Sequence, residues 1–252
     1  MKVFLRFLLC AVLIGVVSCK KDEDTGNNDA NSNKLAVGSS AHDFLSAEKY
    51  TSLQIEILYS PGFEPPAAAL NYLEDFVTTY CHKPEGISFI TRQLDEAPQE
   101  GYTLADIRNI EDQNRTVFNT GSSLGVYVFF AGGDYVENSD TLFTLGLAYR
   151  NTSNVIFQKT IKSNIGGIGS PTEATVTSSI IGHEIGHLLG LVDLGSDMVT
   201  DHEDGENESH CDNEDCLMYW ALNSSNAMGL FGGNVAELDA NCVADLKANG
   251  GK

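Results

Sequence analysis

The chain has 252 residues, of which 15 are basic and 35 are acidic, so its formal charge at neutral pH is −20. A surplus of carboxylates of this size repels the phosphates of nucleic acid, which argues against nucleic acid as a partner. Residues 35–252 are enough for one sizeable core and short of two ordinary domains, and the sequence shows no internal repeat.

The amino terminus has the pattern of a secretion signal. Lys2 and Arg6 precede an apolar run over residues 7–17, which is too short to span a membrane comfortably. The run ends in Val-Val-Ser-Cys19, which resembles the lipobox of bacterial lipoproteins. Cleavage before Cys19 and lipidation of its thiol would remove residues 1–18 and leave an anchored protein without a transmembrane helix. We therefore expect a bacterial outer membrane lipoprotein, exposed at the surface or facing the periplasm; the alternative is an uncleaved signal anchor.

Residues 19–34 are predicted to form a disordered acidic tether. Two lysines and three acids follow Cys19 directly, and this run also resembles the export signal of surface-displayed lipoproteins. A tract of Gly, Asn, Asp and Ser then extends to Lys34, with too little apolar content to fold. Without residues 1–18 the chain keeps 13 basic and 35 acidic residues, a charge of −22. The remainder, residues 35–252, is predicted to be a single domain.

Strand and helix patterns alternate through the first half of this domain, which predicts an α/β (α+β) fold. The predicted strands are 53–59, 87–94, 124–131, 142–149 and 154–157, and the predicted helices are 66–80 and 103–118.

A longer helix is predicted to follow. Ser170 offers an N-cap, Pro171 fits the first helical position, and Glu173 completes a capping box. Gly190 fits the other end. The apolar residues between them would pack this helix against a sheet: Val176, Ile180, Ile181, Ile185, Leu188 and Leu189.

This helix contains the motif His183-Glu184-Ile185-Gly186-His187. Residues four apart share one face of a helix, so both imidazoles can reach one metal ion while Glu184 lies beside its open coordination position. The pattern is typical of the active-site helix of a zinc-dependent peptidase.

A second motif begins at His210 and reads His-Cys-Asp-Asn-Glu-Asp-Cys-Leu-Met-Tyr. Together the two motifs resemble the metzincin clan of metallopeptidases, in which a methionine turn lies below the metal. Residues 210–218 have the spacing of the archaemetzincins: His, Cys, four residues, Cys, one residue, Met. The resemblance implies a metzincin-like zincin fold with a mixed twisted sheet, an active-site helix and a methionine turn at Met218.

The third zinc ligand is left open by the sequence. Asp193 lies three residues after Gly190, where some metzincins use aspartate, whereas His210 arrives only after residues 191–209. We favour His210, because neutral imidazole is a usual third ligand of catalytic zinc and Cys211 follows it at once. The 19 intervening residues would then be an insertion that borders the cleft. His202 in the same loop is a weaker candidate.

The resemblance also implies hydrolysis of peptide bonds. Zinc on three protein ligands lowers the pKa of its water towards about 7. Glu184 would act as general base towards that zinc-activated water. Met218 would pack under the metal, and Tyr219 is a candidate contact for the oxyanion. The alternative is a lipoprotein with a degenerate metzincin fold that binds a metal or a peptide without turnover.

The substrate implied by the resemblance is a protein or peptide. In the family, an edge strand before the active-site helix pairs with extended substrate, and residues 145–149 are the candidate strand. An ordinary interior strand is the alternative for the same residues.

Four cysteines remain for the folded domain: Cys81, Cys211, Cys216 and Cys242. An even number outside the cytoplasm suggests disulfides. Archaemetzincins use the equivalents of Cys211 and Cys216, with a later Cys-x-x-Cys pair, for a second structural zinc. That pair is missing here, so we expect disulfides, unless Cys81 completes a four-thiolate site.

Residues 193–215 carry ten carboxylates, and residues 163–246 contain no Lys or Arg. This acidic loop could hold a calcium ion through Asp201, Glu203 and Asp204. The simpler interpretation is a solvated acidic loop that aids solubility.

Overall fold

The fold is built on a five-stranded sheet, seen in a computed structural model that describes residues 32–139, 143–166, 170–223 and 234–252. The strands of this sheet are β1 Ser52–Tyr59, β2 Gly86–Gln93, β4 Ser123–Phe130, β6 Gly146–Arg150 and β7 Ser153–Ile156, and β3 Gly101–Tyr102 pairs separately with β5 Asp134–Tyr135. The helices are α1 Ala41–Leu45, α2 Ala67–Tyr80, α3 Leu104–Asn114, α4 Gln158–Asn164, α5 Glu173–Leu188 and α6 Ala240–Ala248, with a 3₁₀ turn at Trp220–Asn223.

The strand order is β2-β1-β4-β7-β6, and every neighbouring pair is parallel except β7 and β6. Parallel strands need crossover connections: α2 connects β1 to its neighbour β2, and α3 lies in the connection from β2 to β4, which pairs with the other side of β1. The central strand β4 is apolar along nearly its whole length, as expected for a strand covered on both faces. The resulting mixed α/β sheet confirms the predicted fold class.

The two faces of the sheet contribute to separate apolar cores. Successive side chains of a strand point to opposite faces, so Val126 and Val128 join one core while Tyr127 and Phe129 join the other. The first core also contains the apolar residues of α2 and α5, and the second contains Ile107 of α3. Helix α5 is buried on all sides, which places the sequence motif it carries inside the molecule.

The elements lie close to their predicted positions, with two differences. Helix α3 ends at Asn114, not at 118, because Arg115 has extended backbone and the amides of Thr116 and Val117 donate to the buried carboxylate of Glu56. Strand β6 begins at Gly146, not at 142, and residue 142 itself lies outside the described residues. Strand β6 is the end strand of the sheet, so the interior-strand alternative for 145–149 is wrong.

The first described residues contact the folded part of the chain. The Asn33 side chain donates to Glu111 Oε1 at 3.2 Å, and Asn151 Nδ2 donates to Ser32 O at 2.8 Å. Residues 32 and 33 therefore pack on the folded part of the chain. The predicted signal peptide, Cys19 and the rest of the tether lie outside the described residues. Among the described residues, no helix is long and apolar enough to cross a membrane.

A buried ionic network fastens the β6–β7 hairpin to α3. Glu111 Oε1 accepts hydrogen bonds from Arg115 at 2.8 Å and from Ser153 Oγ at 2.7 Å, and Oε2 accepts one from Arg150 at 2.9 Å. Neither Glu111 nor Arg115 is exposed by more than 1% of its side chain. Because each charge is paired and hydrogen-bonded, these interactions offset most of the free-energy cost of removing the charges from water.

The network predicts a large stability effect for a single truncation. Replacing Glu111 by alanine leaves two buried guanidinium groups without their shared carboxylate, so we expect the free energy of unfolding to fall by about 3–5 kcal/mol. Denaturant-induced unfolding followed by circular dichroism measures this change. The control is Asp112→Ala, which removes the neighbouring, half-exposed partner of Arg150 and should cost about 1 kcal/mol or less. Equal, small losses for both variants would contradict this role of Glu111.

Candidate metal centre

Helix α5 carries the first two candidate ligands, and its two ends are defined by local hydrogen bonds. The Thr172 side chain accepts from Thr175 N at 3.1 Å, so Thr172 is the N-cap, and the expectation of Ser170 with a capping box to Glu173 is wrong. At the other end Gly190 has a φ of 78°, and Gly190 N and Leu191 N donate to His187 O and Gly186 O. This is the Schellman arrangement, which requires the left-handed backbone that glycine adopts at little cost.

His183 and His187 lie one turn apart on α5 and point towards the same place. Their Nε2 atoms are 3.1 Å apart, close to the separation of about 3.3 Å that two imidazole ligands have on a tetrahedral zinc ion. His183 Nδ1 donates to Leu217 O at 2.8 Å, which leaves its Nε2 with a free lone pair. His187 Nδ1 is buried and has no hydrogen-bond partner among the described residues.

His210 completes the group from a different part of the chain. Its ring centroid lies 5.3 Å from that of His183 and 5.2 Å from that of His187. The ligand atoms of the three histidines all lie within 4.8 Å of one another. His210 Nδ1 donates to Glu208 O at 2.9 Å, which again leaves Nε2 as the atom available to a metal. The three rings therefore fit the ligand set of a catalytic zinc ion.

Burial keeps these imidazoles in the form that binds metal. Desolvation, together with the neighbouring His210, lowers the pKa of His183 to about 3. Burial also lowers the pKa of His187 well below its ordinary value, and it lowers the pKa of His210. All three rings are then neutral near neutral pH, and neutral imidazole is the ligand form of histidine.

The other two candidates for third ligand lie elsewhere. Asp193 is exposed on a turn with a φ of 61° and is absent from the group of metal-binding atoms around His183. His202 is buried and faces Cys211 and Asp245. Of the alternatives that the sequence left open, the structure brings only His210 to α5 within the described residues.

Glu184 lies beside the histidine group and contacts the edge strand. Its Oε2 accepts a hydrogen bond from Ala148 N of β6 at 2.6 Å. Burial raises the pKa of Glu184 to about 8, against the opposing effect of this hydrogen bond. The close approach depends on Gly146, where a Cβ atom would lie 2.7 Å from Glu184 Oε1. Nothing in the sequence motif predicted the contact with Ala148, because it joins two segments that pair only in the folded chain.

Met218 and Tyr219 follow the two cysteines of the second motif. Met218 is fully buried, and its sulfur lies against Gly186, on the helix turn between His183 and His187. The Tyr219 ring is half-buried beside Trp220, at a centroid distance of 5.9 Å. Met218 thus packs under the histidine group, while a contact of Tyr219 with an oxyanion stays a prediction.

The cysteines do not form the expected disulfides. Cys81, Cys211, Cys216 and Cys242 are buried free thiols. The Sγ atoms of Cys216 and Cys242 are 3.6 Å apart, whereas a disulfide requires about 2.05 Å. Cys81 is not part of the second group of metal-binding atoms, which contains His202, Cys211, Asp239 and Cys242.

The acidic loop does not assemble the expected calcium ligands. Asp204 accepts hydrogen bonds from Glu206 N and from the Asn207 side chain, and Glu203 accepts one from Ser209 N at 2.6 Å. These hydrogen bonds lower the pKa of Asp204. The two carboxylates hold the loop together, and with Asp201 they form no group of metal-binding atoms among the described residues.

The choice between His210 and Asp193 can be tested by metal content. We expect His210→Ala to contain one equivalent of zinc less than the wild type after dialysis, because two imidazoles alone hold zinc weakly. Asp193→Ala is the matched control and should keep the wild-type content, since Asp193 is exposed and does not belong to the histidine group. Elemental mass spectrometry on the purified proteins makes the measurement. A loss confined to Asp193→Ala would overturn the assignment.

Comparison with known proteins places this geometry in a known fold. No family model matches the chain, and no curated protein matches it in sequence. Among solved structures, an archaemetzincin from Methanopyrus kandleri is similar with a TM-score of 0.51 and 16% identity, over 79% of this chain and 96% of the other. Metalloproteinase-II from Bacteroides fragilis is similar with a TM-score of 0.41 and 14% identity, over 81% of this chain and 54% of the other. The first likeness confirms the expected architecture: the chain has an archaemetzincin-like fold.

Proposed function

We propose that this protein is a zinc-dependent peptidase in which His183, His187 and His210 hold the zinc ion and Glu184 is the general base. The convergence of three neutral imidazoles, two of them buried and one partly buried, beside a buried carboxylate carries this proposal. The histidines fit zinc in their number and in the spacing of His183 and His187. For His183 and His210, the Nδ1 partners also impose the tautomer that leaves Nε2 free for the metal. The archaemetzincin-like fold supports the same activity.

The reaction is the addition of water across a peptide bond. Zinc, when bound, polarises the scissile carbonyl and lowers the pKa of the attacking water. Glu184 takes a proton from that water as its oxygen bonds to the carbonyl carbon. The same carboxyl group then gives the proton to the amine that leaves when the C–N bond breaks. The amide of Ala148 holds Glu184 Oε2, so the carboxyl group keeps one orientation through both transfers.

Strand β6 gives the proposed substrate a place to bind. It is the end strand of the sheet, and its Ala148 is in direct contact with Glu184. An extended peptide that adds to this strand would be held by main-chain hydrogen bonds, with its backbone beside the general base. The proposed substrate is therefore an extended segment of a protein. Main-chain hydrogen bonds would select little for its amino-acid sequence.

We further propose that the enzyme acts outside the cytoplasm as an outer membrane lipoprotein. The lipobox-like sequence at Cys19 and the polar residues after it support this location. A lipid anchor at Cys19, with residues 20–31 between it and the domain, would hold the enzyme at the membrane while leaving its cleft accessible to protein substrates.

The proposal predicts that Glu184→Gln abolishes hydrolysis while zinc stays bound. Glutamine keeps the size of the side chain and an oxygen that can accept from Ala148 N, but it cannot take up a proton, so we expect kcat/KM to fall by about 10²–10⁴-fold. Cleavage of unfolded protein substrates, followed by mass spectrometry, and zinc content are measured together. Glu173→Gln, on the first turn of the same helix, is the matched control and should retain wild-type activity.

The competing function is a binding protein with the same fold and no turnover. Peptide binding without cleavage by the zinc-loaded wild type, unchanged in Glu184→Gln, would favour that function. A folded wild-type protein that binds no zinc at the three histidines would exclude the peptidase.

A further inference from the structure

A short strap, residues 32–35, is fastened to the turn that follows β6. Its main partner is Asn151, the residue directly after the strand. Asn151 Oδ1 accepts a hydrogen bond from Leu35 N at 3.1 Å, and Asn151 N donates to Leu35 O at 3.1 Å. Asn151 Nδ2 donates to Ser32 O at 2.8 Å and to Ser40 Oγ at 2.7 Å. Because Asn151 is fully buried, its side chain depends on these partners for its hydrogen bonds.

The strap also reaches the buried ionic network. The Asn33 side chain is buried, and its Nδ2 donates to Glu111 Oε1 at 3.2 Å. A neutral amide can enter this network without adding a charge that would need a partner of its own. Lys34 forms an ion pair with Asp112 at 2.9 Å. Glu111 and Asp112 are also the two carboxylates that bind Arg150, the last residue of β6. The strap therefore contacts both partners of the end of this strand.

Strand β6 needs support at this end because its own pairing is irregular there. It is the end strand of the sheet and pairs with β7, and the register shifts between Ala148 and Arg150. A bulge of this kind interrupts the ladder and bends the strand. The direction of β6 beyond the bulge is then set by the partners of Arg150 and Asn151, which are the ionic network and the strap.

The bulge lies directly beside the contact between β6 and the general base. Ala148 N donates to Glu184 Oε2 at 2.6 Å, and a Cβ atom at Gly146 would lie 2.7 Å from Glu184 Oε1. Contacts this close leave little room for the strand to shift without moving the carboxylate. A misplacement of about 1 Å in an active site can lower a rate by about 10²-fold. Whatever holds the end of β6 therefore also holds Glu184.

We propose that Asn33 and Asn151 are positioning residues of the candidate active site, which hold β6 against Glu184 through the strap. The role of Glu184 in this inference rests on the proposed peptidase function. Neither asparagine belongs to the histidine group, so both act through the strand. Asn151 connects the strap to the turn after β6, and Asn33 connects it to the carboxylate that binds Arg150.

Hydrogen exchange and peptide cleavage by the full-length, zinc-loaded protein test this role together. Asn33→Ala removes one hydrogen bond to Glu111, which keeps its bonds to Arg115 and Arg150, so the variant should fold. We expect the amides of β6 to exchange about tenfold faster than in the wild type, because the end of the strand opens more often. We expect kcat/KM for an unfolded protein substrate to fall by about tenfold, with unchanged zinc content.

Two control variants separate positioning from a general loss of stability. Thr103→Ala removes the capping box of α3, which should lower the free energy of unfolding by about 1 kcal/mol. It should leave the exchange of β6 and kcat/KM at their wild-type values. Asn109→Ala makes the same substitution as Asn33→Ala at an exposed position of α3, where the side chain contacts Gln113, and it should also behave as the wild type.

Leu35→Pro tests the strap at a second position. It removes the N–H that Asn151 Oδ1 accepts, and the Leu35 side chain is exposed, so the variant should fold and reproduce the effects of Asn33→Ala. Wild-type exchange of β6 in both strap variants would overturn the proposal, and so would a loss of kcat/KM no larger than that of Thr103→Ala. If the zinc-loaded wild type cleaves no peptide, the peptidase function fails, whereas faster exchange of β6 in the strap variants still supports the role of the strap in holding this strand.

Discussion

The hydrogen bond from His183 Nδ1 to Leu217 O joins the two segments that make the candidate active site. Because His183 is fully buried, its N–H needs a protein partner, and Leu217 O provides it from the turn that also carries Met218. The bond selects the tautomer whose Nε2 lone pair faces His187. A rotated ring would lose this partner and place the proton where the metal is expected, so the position of the turn and the chemistry of the helix depend on each other.

Close approach to α5 depends on small residues at its contact points. A Cβ atom at Gly182 would lie 2.8 Å from Tyr72 Oη, and one at Gly186 would collide with the Met218 sulfur. Glycine inside a helix costs about 1 kcal/mol relative to alanine, and here that cost is accepted where α2 and the methionine turn pack on the helix backbone. Gly146 has the same role on β6, where it admits the Glu184 side chain. The histidines and Glu184 therefore lie between elements in which side chains of one pack directly on the backbone of the other, which restricts the movement of these groups.

The 19 residues between Gly190 and His210 are ordered despite having no helix or strand among them. Glu203 and Asp204 bind backbone amides of the loop, and His202 attaches its middle to Asp245 of α6. Because these contacts already order the loop in the folded chain, His210 can reach α5 without metal binding having to supply all of the conformational entropy lost in ordering the loop. This explains how a histidine so far along the chain from α5 can take the place that the shorter spacing offered to Asp193.

By itself, the sequence determined the local features of this protein. The period of apolar residues located the strands of the sheet and helices α2 and α5, and the four-residue spacing of His183 and His187 placed both rings on one face. Gly190 marked the end of α5 because only left-handed backbone allows the Schellman turn. These are properties of neighbouring residues, which is why they could be predicted without a fold.

Only the tertiary structure decided the contacts between distant residues. The sequence favoured His210 as third ligand and left Asp193 and, more weakly, His202 as alternatives. Packing then exposed Asp193, turned His202 towards Asp245 and brought His210 to α5. The packing also determined which cysteines meet. The docking of α6 brings Cys242 close to Cys216, but the thiols are free and do not form the expected disulfides. Spacing along a chain limits which side chains can meet, but burial of the apolar faces determines which of them do.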